Sequence, residues 1–428
     1  MSRRQRHLGY RLAFAGFVLI AALTLLPQPE EAARAAATPI TCILCGDLGT
    51  VDFLLNVLLF VPLGAGLLLA GFSWRRTVVL AGLLTCLIEL LQMEVITGRD
   101  ASLGDVLANT IGAGLGAFLA ARWRGFIFPE SGRARRLALA YALALAWIWA
   151  GTAWALGPAL PQGVRWFGAW APEFDNFERF VGTPLLVTAG GEPLLPGPAL
   201  DQRRLDDAVT ANPAIAFRAV LAGPTTGLAP IGVIVDAWHR DVLFIGQDGG
   251  DLAFGLRMRA SILKLRNPMA LLHGGLAGQQ GDTVEAEGAL RRGAFELSSR
   301  DGPRLAAFRL PLSASWGWSL VTPWAAGYGR EMYLLTALWV AGLVAVLAYW
   351  SGLAGGAGLL VVPVTLAGLL GIVPYGAGFP PAHWSEWVAA LVGILLGSVA
   401  AAGASQKRGR MALAAQEAEP TTLVEAAS

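Results

Sequence analysis

Charge is the first thing this chain is short of. Asp, Glu, Lys and Arg make up only 14% of its 428 residues and nearly cancel, leaving a formal net charge of +2. That balance offers no electrostatic footprint for a nucleic acid, and we expect no such partner. Cysteine is scarcer still: three residues are too few for a disulfide framework. Cys42 and Cys45 in "TCILCG" read as a local disulfide or as two thiols, and Cys86 as packing inside an apolar run. Zinc or redox chemistry would call for a second Cys or His pair, which the motif lacks.

What the chain has in quantity is apolar sequence, 55% of its residues. Runs of about 20 apolar residues are long enough to cross a bilayer. They occur at Leu8 to Leu26, Val51 to Phe72, Thr77 to Ile96, Leu103 to Ala121, Leu137 to Leu156, Met332 to Trp350, Leu353 to Val373 and Trp384 to Ala404, so eight spans are expected. Placing "SRRQRH" in the cytoplasm also puts "SWRRT", "RWRGFIFPESGRARR" and "QKRGR" there, as the preference of basic loops for that side requires. Both termini are then cytoplasmic and residues 157–330 external. The amino end also resembles a secretory signal, with an Arg-rich start, an apolar stretch and small residues at "AARAAA". We expect this span to be retained.

Between Trp166 and Trp324 the pattern changes to short β-prone runs such as "AIAFRAVL", "IGVIVDAW" and "DLAFGLRMRA", separated by Gly, Pro, Asn and Asp. Alternating apolar and polar residues mark half-buried strands, and the region reads as an antiparallel sandwich inserted between spans. Near its strand ends lie Asp236, Trp238, His239, Asp248 and Asp251, where a sugar or a calcium ion could meet them. The alternative is that they are turn residues and an exposed aromatic, since Asp favours turns for local hydrogen-bonding reasons. The stretch from "IAFRAVL" through "DVLFIGQDGGDLAFGLRMRA" resembles the laminin-G and concanavalin A-like jelly-roll superfamily. No Glu-x-Asp-x-x-Glu run is present, so the resemblance implies binding or a structural role rather than glucanase chemistry.

Several of the apolar runs carry polar residues that cost a few kcal/mol in hydrocarbon. Asp52 and Asn56 are one turn apart and are followed by Phe60, Pro62 and Gly64. Glu89 and Gln92 share a face in "CLIELLQ". Arg99 precedes Asp105 and Asn109, again one turn apart, and then Gly112, Ala113 and Gly116. Each helix therefore presents one polar stripe. With the expected topology the three stripes lie at one depth in the outer leaflet, on helices joined by short turns. We expect them to converge on a shared cavity, with Arg99 bending back as its lid and the small residues allowing close approach.

These residues also resemble the VanZ-like family, whose pattern is D-x-x-x-N, F-x-P-x-G, E-x-x-Q, then Arg with Asp six and Asn ten positions later. The resemblance covers about the first third of the chain. It implies a bacterial membrane protein of the cell envelope, in a family named for a protein giving low-level resistance to the glycopeptide teicoplanin.

The expected fold is thus a polytopic α-helical membrane protein of about eight spans with an inserted extracytoplasmic all-β jelly-roll, concanavalin A-like domain. Its expected parts are a VanZ-like domain at 1–156, the β domain at 157–330, a three-span bundle at 331–404 and a disordered cytoplasmic tail at 405–428. For function, the expectation is that the cavity binds a lipid headgroup or lipid-linked envelope precursor, with Asp52, Asn56, Gln92, Arg99 and Asn109 as ligand-binding residues. Asp236, Trp238 and His239 would hold glycan outside. In the alternative, a membrane enzyme, Glu89 or Asp105 is the general acid or base and Arg99 binds a phosphate or carboxylate. No Ser, His or Cys nucleophile is visible for it. The carboxylates and carbonyl oxygens are of the type that holds magnesium. Tyr375, His383 and Glu386, near the expected outer surface, read as interfacial anchors.

Overall fold

The computed structural model describes residues 2–28, 39–173, 177–195, 202–238, 240–278, 280–322, 324 and 327–417. Eight of its helices are long and apolar enough to cross a membrane, which makes the chain a multi-pass membrane protein. The first five are α1 (Arg3–Thr24), α2 (Gly49–Ala70), α3 (Trp74–Glu94), α4 (Leu103–Ile127) and α5 (Ser131–Ala155). Their ends follow local chemistry. Ser2 and Gln5 form a reciprocal capping box on α1, Ser73 and Ser102 cap α3 and α4, and Gly71 ends α2 with φ 111°.

Glycine sets how these helices pack. A methyl group added to Gly64 would fall on the carbonyl of Ala113, one on Gly112 on that of Val57, and one on Gly116 on that of Val61. The backbones of α2 and α4 therefore touch where Val57 to Ala65 meets Gly112 to Gly116, as small residues permit between membrane helices. Gly9 and Gly66 play the same part between α1 and α2, against Ala70 and Ala13.

The chain then builds two six-stranded sheets. One has the order β1 (Trp166–Trp170), β5 (Leu228–Asp236), β6 (Asp241–Asp248), β7 (Asp251–Leu256), β8 (Met269–Leu272), β12 (Gly327–Tyr328). The other runs β11 (Arg304–Pro311), β10 (Ala294–Asp301), β9 (Thr283–Arg291), β4 (Ala214–Val220), β2 (Thr183–Ala189), β3 (Glu192–Pro193). All pairings are antiparallel except the short β8–β12 contact. The sheets face each other across a core in which the Phe254 and Phe295 rings meet edge to face, 5.9 Å between centroids. A short helix, α6 (Gln202–Ala211), lies between β3 and β4 in the chain.

Three more spans follow: α7 (Glu331–Ala354), α8 (Gly356–Gly376) and α9 (Trp384–Glu417). A π-helical stretch, Ala367–Ile372, interrupts α8. The expected boundary at residue 404 does not hold as a structural break, because α9 continues to Glu417. Its "SQKRGRMALAAQE" is rich in good helix formers, so the helix propagates past the apolar part. Residues 418–428 of the expected tail lie outside the described residues.

The sheet unit sits on one end of the helical bundle. Lys264 donates to the carbonyl of Leu44 (2.5 Å), Ser315 to buried Glu386 (2.6 Å), and the Trp318 indole to Thr336 (3.3 Å). His273 bridges Asp251 (2.7 Å) at the β7 end and Glu331 (3.8 Å) in the first turn of α7. At the opposite end Arg408 donates to the carbonyl of Pro129 (2.9 Å) and the Trp350 indole to that of Phe126 (2.8 Å). Glu386 is thus buried under the sheet unit and not an interfacial anchor, whereas Tyr375 is exposed.

The α2–α4 contact can be tested by thermal unfolding in detergent. Gly116→Leu should destabilise by at least the about 1–3 kcal/mol typical of overpacking. Gly151→Ala, where an added methyl meets nothing within 4 Å, should leave the midpoint unchanged or raise it.

Candidate functional site

The site begins with how α4 starts. "SLGD" places Ser102 at the N-cap, its hydroxyl accepting from the backbone N–H of Asp105 (3.0 Å). The same hydroxyl donates to Asp105 Oδ2 (2.9 Å), and the Ser102 N–H donates to Glu89 Oε2 (2.8 Å). Ser102 therefore joins the carboxylates of α3 and α4. From α2, the Asn56 amide donates to Asp105 Oδ1. One turn deeper, Asn109 donates to the Thr85 hydroxyl of α3 (2.8 Å), and its own Oδ1 is buried with no hydrogen-bond partner.

The expected convergence is therefore seen for Asn56, Glu89, Asp105 and Asn109, which join α2, α3 and α4 at the end that carries the sheet unit. Asp52 opens α2 at that end with its side chain exposed, within electrostatic reach of Asp105 and Asp100. Two expected members turn elsewhere. Gln92 donates to the carbonyl of Thr24 (2.9 Å), and Arg99 to those of Leu23 (2.8 Å) and Leu26 (3.2 Å). Arg99 thus makes no hydrogen bond to the carboxylates, although its charge still reaches Asp105. It satisfies the open carbonyls at the C-terminal end of α1, where a cation also complements the helix dipole.

Ser102, Thr85 and Asp100 were missed from sequence. The S-x-x-D spacing before an apolar run is a capping signature and marks Ser102; a lone Thr inside a span carries no such signal. Among the described residues no group of three or more His, Cys, Asp or Glu side chains is placed to hold a metal ion. The magnesium ion considered for the cavity and the calcium ion considered for the sheets find no such set among the described residues. Cys42 and Cys45 are joined as a disulfide.

In the sheet unit Asp236 is a correction. It is completely buried, accepts backbone N–H groups from Trp238 (2.9 Å) and Arg240 (3.0 Å), and pairs with the guanidinium groups of Arg240 (2.7 Å) and Arg257 (3.5 Å). Its carboxylate is fully committed inside the protein and has no face for a sugar. Burial pushes its pKa up, but these hydrogen bonds and the Arg240 charge outweigh it and hold the group below the usual carboxylate range. Trp238 is exposed, with the Arg240 guanidinium 4.6 Å from its ring centre. His239 lies outside the described residues. Asp251 accepts from the Gly274 N–H (2.7 Å) as well as pairing with His273, a turn role.

Fold and site together define a multi-pass membrane protein whose amino-terminal helices close polar residues of α2, α3 and α4 at one end. Residues 12–124 match the family model described as VanZ/LLP1, so this amino-terminal unit is VanZ-like. Among curated proteins and solved structures, none matches the chain.

Two outcomes follow. Ser102→Ala removes a cap and a carboxylate partner together and should cost about 1–2 kcal/mol in thermal unfolding. Asp236→Asn should destabilise the sheet unit by about 3 kcal/mol, the low end for breaking a buried pair because Arg240 is half exposed. Because the folded pKa of Asp236 is lowered, its stabilisation is present above the ordinary value of 3.8 and is lost as pH falls through the folded value. Acid unfolding below pH about 4 should therefore be steeper in the wild type than in the variant.

Proposed function

We propose that the VanZ-like unit binds the headgroup of an amphiphilic cell-envelope component, a lipid or a lipid-linked precursor, in a polar cavity at the sheet-bearing end of α2, α3 and α4. The observation that carries this reading is the bonding of Asn56 to Asp105 and of Ser102 to both Asp105 and Glu89. It gathers polar groups from three apolar helices at one depth. Ionisable groups inside spans mark functional sites by default, since hydrocarbon penalises them unless they serve a cavity. The buried Oδ1 of Asn109 adds an acceptor that still calls for a donor.

In this reading the sheet-bearing end faces outward from a bacterial cytoplasmic membrane and both termini are cytoplasmic. The basic segments support it, because Arg75 and Arg76 at the start of α3, Arg122 and Arg124 at the end of α4 and Arg133 at the start of α5 belong to the opposite ends of those helices. The two facing sheets act as an external, concanavalin A-like jelly-roll module, with exposed Trp238 as the residue through which it would meet glycan. Holding envelope precursors in this way would give the protein a part in envelope polysaccharide handling or in resistance to glycopeptides such as teicoplanin.

Asp52→Asn is the cleanest test, because the exposed carboxylate is not among the groups that bridge the helices. Lipid extracts of purified protein, read by mass spectrometry, should show an amphiphile retained by the wild type. Its retention should fall about tenfold in Asp52→Asn, Glu89→Gln or Asp105→Asn, the equivalent of one charged hydrogen bond. The cavity reading is wrong if all three variants keep both the lipid and the melting temperature.

A further inference from the structure

The carboxylates of the VanZ-like unit feel cations from two parts of the chain: Arg99, in the same unit, lies within electrostatic reach of Asp105, and the sheet unit adds a second. Arg266, more than two hundred residues further along the chain, lies within electrostatic reach of Asp52. It is half-buried and held in place, its Nε donating to the carbonyl of Thr322 (3.0 Å) and its backbone N–H to that of Leu320 (3.0 Å). Lys264, two residues earlier, donates to the carbonyl of Leu44 (2.5 Å). Leu44 belongs to the segment between α1 and α2, which is fastened to α4 as well. The Leu103 N–H donates to Ile40 (2.8 Å), the Gly104 N–H donates to Cys42 (3.1 Å), and the Cys42–Cys45 disulfide closes the turn. The first turn of α4, which carries Asp105, is thereby tied through residues 40–45 to the strand-connecting segment that carries Lys264 and Arg266.

Opposite charges therefore come together at this end of the bundle. On one side stand Asp52, Asp100 and Asp105, mutually within electrostatic reach. Asn56 and Ser102 bond Asp105 but bring no positive charge, and Arg99, whose charge reaches Asp105, spends the hydrogen bonds of its Nε and one terminal nitrogen on α1. Deeper on the same stripe, Asn109 is only 2% exposed and its Oδ1 has no partner. A buried orphan acceptor points to a ligand that brings N–H or O–H donors. On the other side are an ammonium and a guanidinium, and a fixed guanidinium suits the geometry of a phosphate. In the same two segments, beside Leu44 and Lys264, Ile43, Ile262 and Leu263 are exposed apolar side chains, suited to hydrocarbon rather than water.

We propose that the sheet unit completes the cavity, and that the headgroup taken there is zwitterionic. A primary ammonium is set toward Asp52 and its acidic neighbours, and a phosphodiester toward Arg266 and Lys264. This rests on the cavity reading above and adds to it the headgroup class and two residues from a separate part of the chain. The ammonium donates N–H bonds to the carboxylates, which a quaternary ammonium lacks the hydrogens to do. A purely anionic phospholipid satisfies the cationic side but meets repulsion from the acidic side.

The test uses the full-length protein, exchanged in detergent into an equimolar mixture of phosphatidylethanolamine, phosphatidylglycerol and phosphatidylcholine. Retained lipid is counted by native mass spectrometry. The wild type should retain phosphatidylethanolamine about tenfold over the other two, one charged hydrogen bond's worth of discrimination. Asp52→Asn should erase its advantage over phosphatidylglycerol. Arg266→Gln and Lys264→Gln should each reduce its retention several-fold in protein that remains folded. Should Arg266→Gln fail to fold, Lys264→Gln carries the cationic arm alone. Equal retention of the three lipids, a preference for phosphatidylglycerol, or wild-type selectivity in the stable cationic variants overturns the zwitterionic assignment. Asp105→Asn separates the two levels. If it lowers retention of every lipid while selectivity is absent, the cavity reading stands without the headgroup assignment. If the wild type retains no amphiphile at all, both fall.

Discussion

Polar side chains in an apolar helix need partners, and in this chain the partners exist because two backbones touch. Gly64, Gly112 and Gly116 let α2 and α4 approach until a methyl group would strike the facing carbonyls. Only at that separation does the short Asn56 side chain span from α2 to Asp105. A wider contact built on leucine would hold the axes about 8–10 Å apart and leave the carboxylate to hydrocarbon. The glycine stripe and the acidic stripe are therefore one device: the first makes the second tolerable, and the second rewards the register that the first allows.

A second consequence concerns what Ser102 does. It ends an irregular turn, caps a helix and bridges two carboxylates from different spans, so backbone and side chain serve α3 and α4 at once. Such economy arises naturally at helix N-termini, where unpaired backbone N–H groups already favour negative charge. Asp105 sits in the first turn of α4 and Asp52 in that of α2. Both acids are thus placed where the helix dipole stabilises an anion, which lowers the cost of keeping them so near the bilayer.

The helical half of the architecture was readable because apolar length and i, i+4 spacing are local properties of the chain. Asn56, Glu89, Asp105 and Asn109 met as their spacing suggested. What spacing could not reveal was where a long side chain ends. Arg99 has the reach to cover the carboxylates, and it goes instead to the exposed carbonyls of Leu23 and Leu26. Gln92 likewise chooses Thr24. Asp236 looked like an accessible strand-end acid because a turn follows it. Its burial depends on Arg257, about twenty residues along and a full hairpin away, whose position no local pattern encodes. Arg266 and Lys264 were illegible for the same reason at a larger scale, since Asp52 lies at the start of α2 and Leu44 before it, with α3, α4 and α5 still to come in the sequence.

The placement of the sheet unit beside the polar site follows from parity. Chain segments α1, α3 and α5 all end at the same face of the bundle, and α2, α4 and α7 all begin there. An insertion after the fifth span must therefore emerge on the face where Glu89 closes α3 and where Asp52 and Asp105 open their helices. An insertion after the fourth or the sixth would have emerged among the arginines. Because the inserted unit is anchored at both ends by spans, through α5 before β1 and through α7 after β12, its distance from the site is fixed by two helices rather than by one tether. Its cations thus remain near Asp52 at little further entropic cost, which a domain attached at a single flexible linker would have to meet on each encounter.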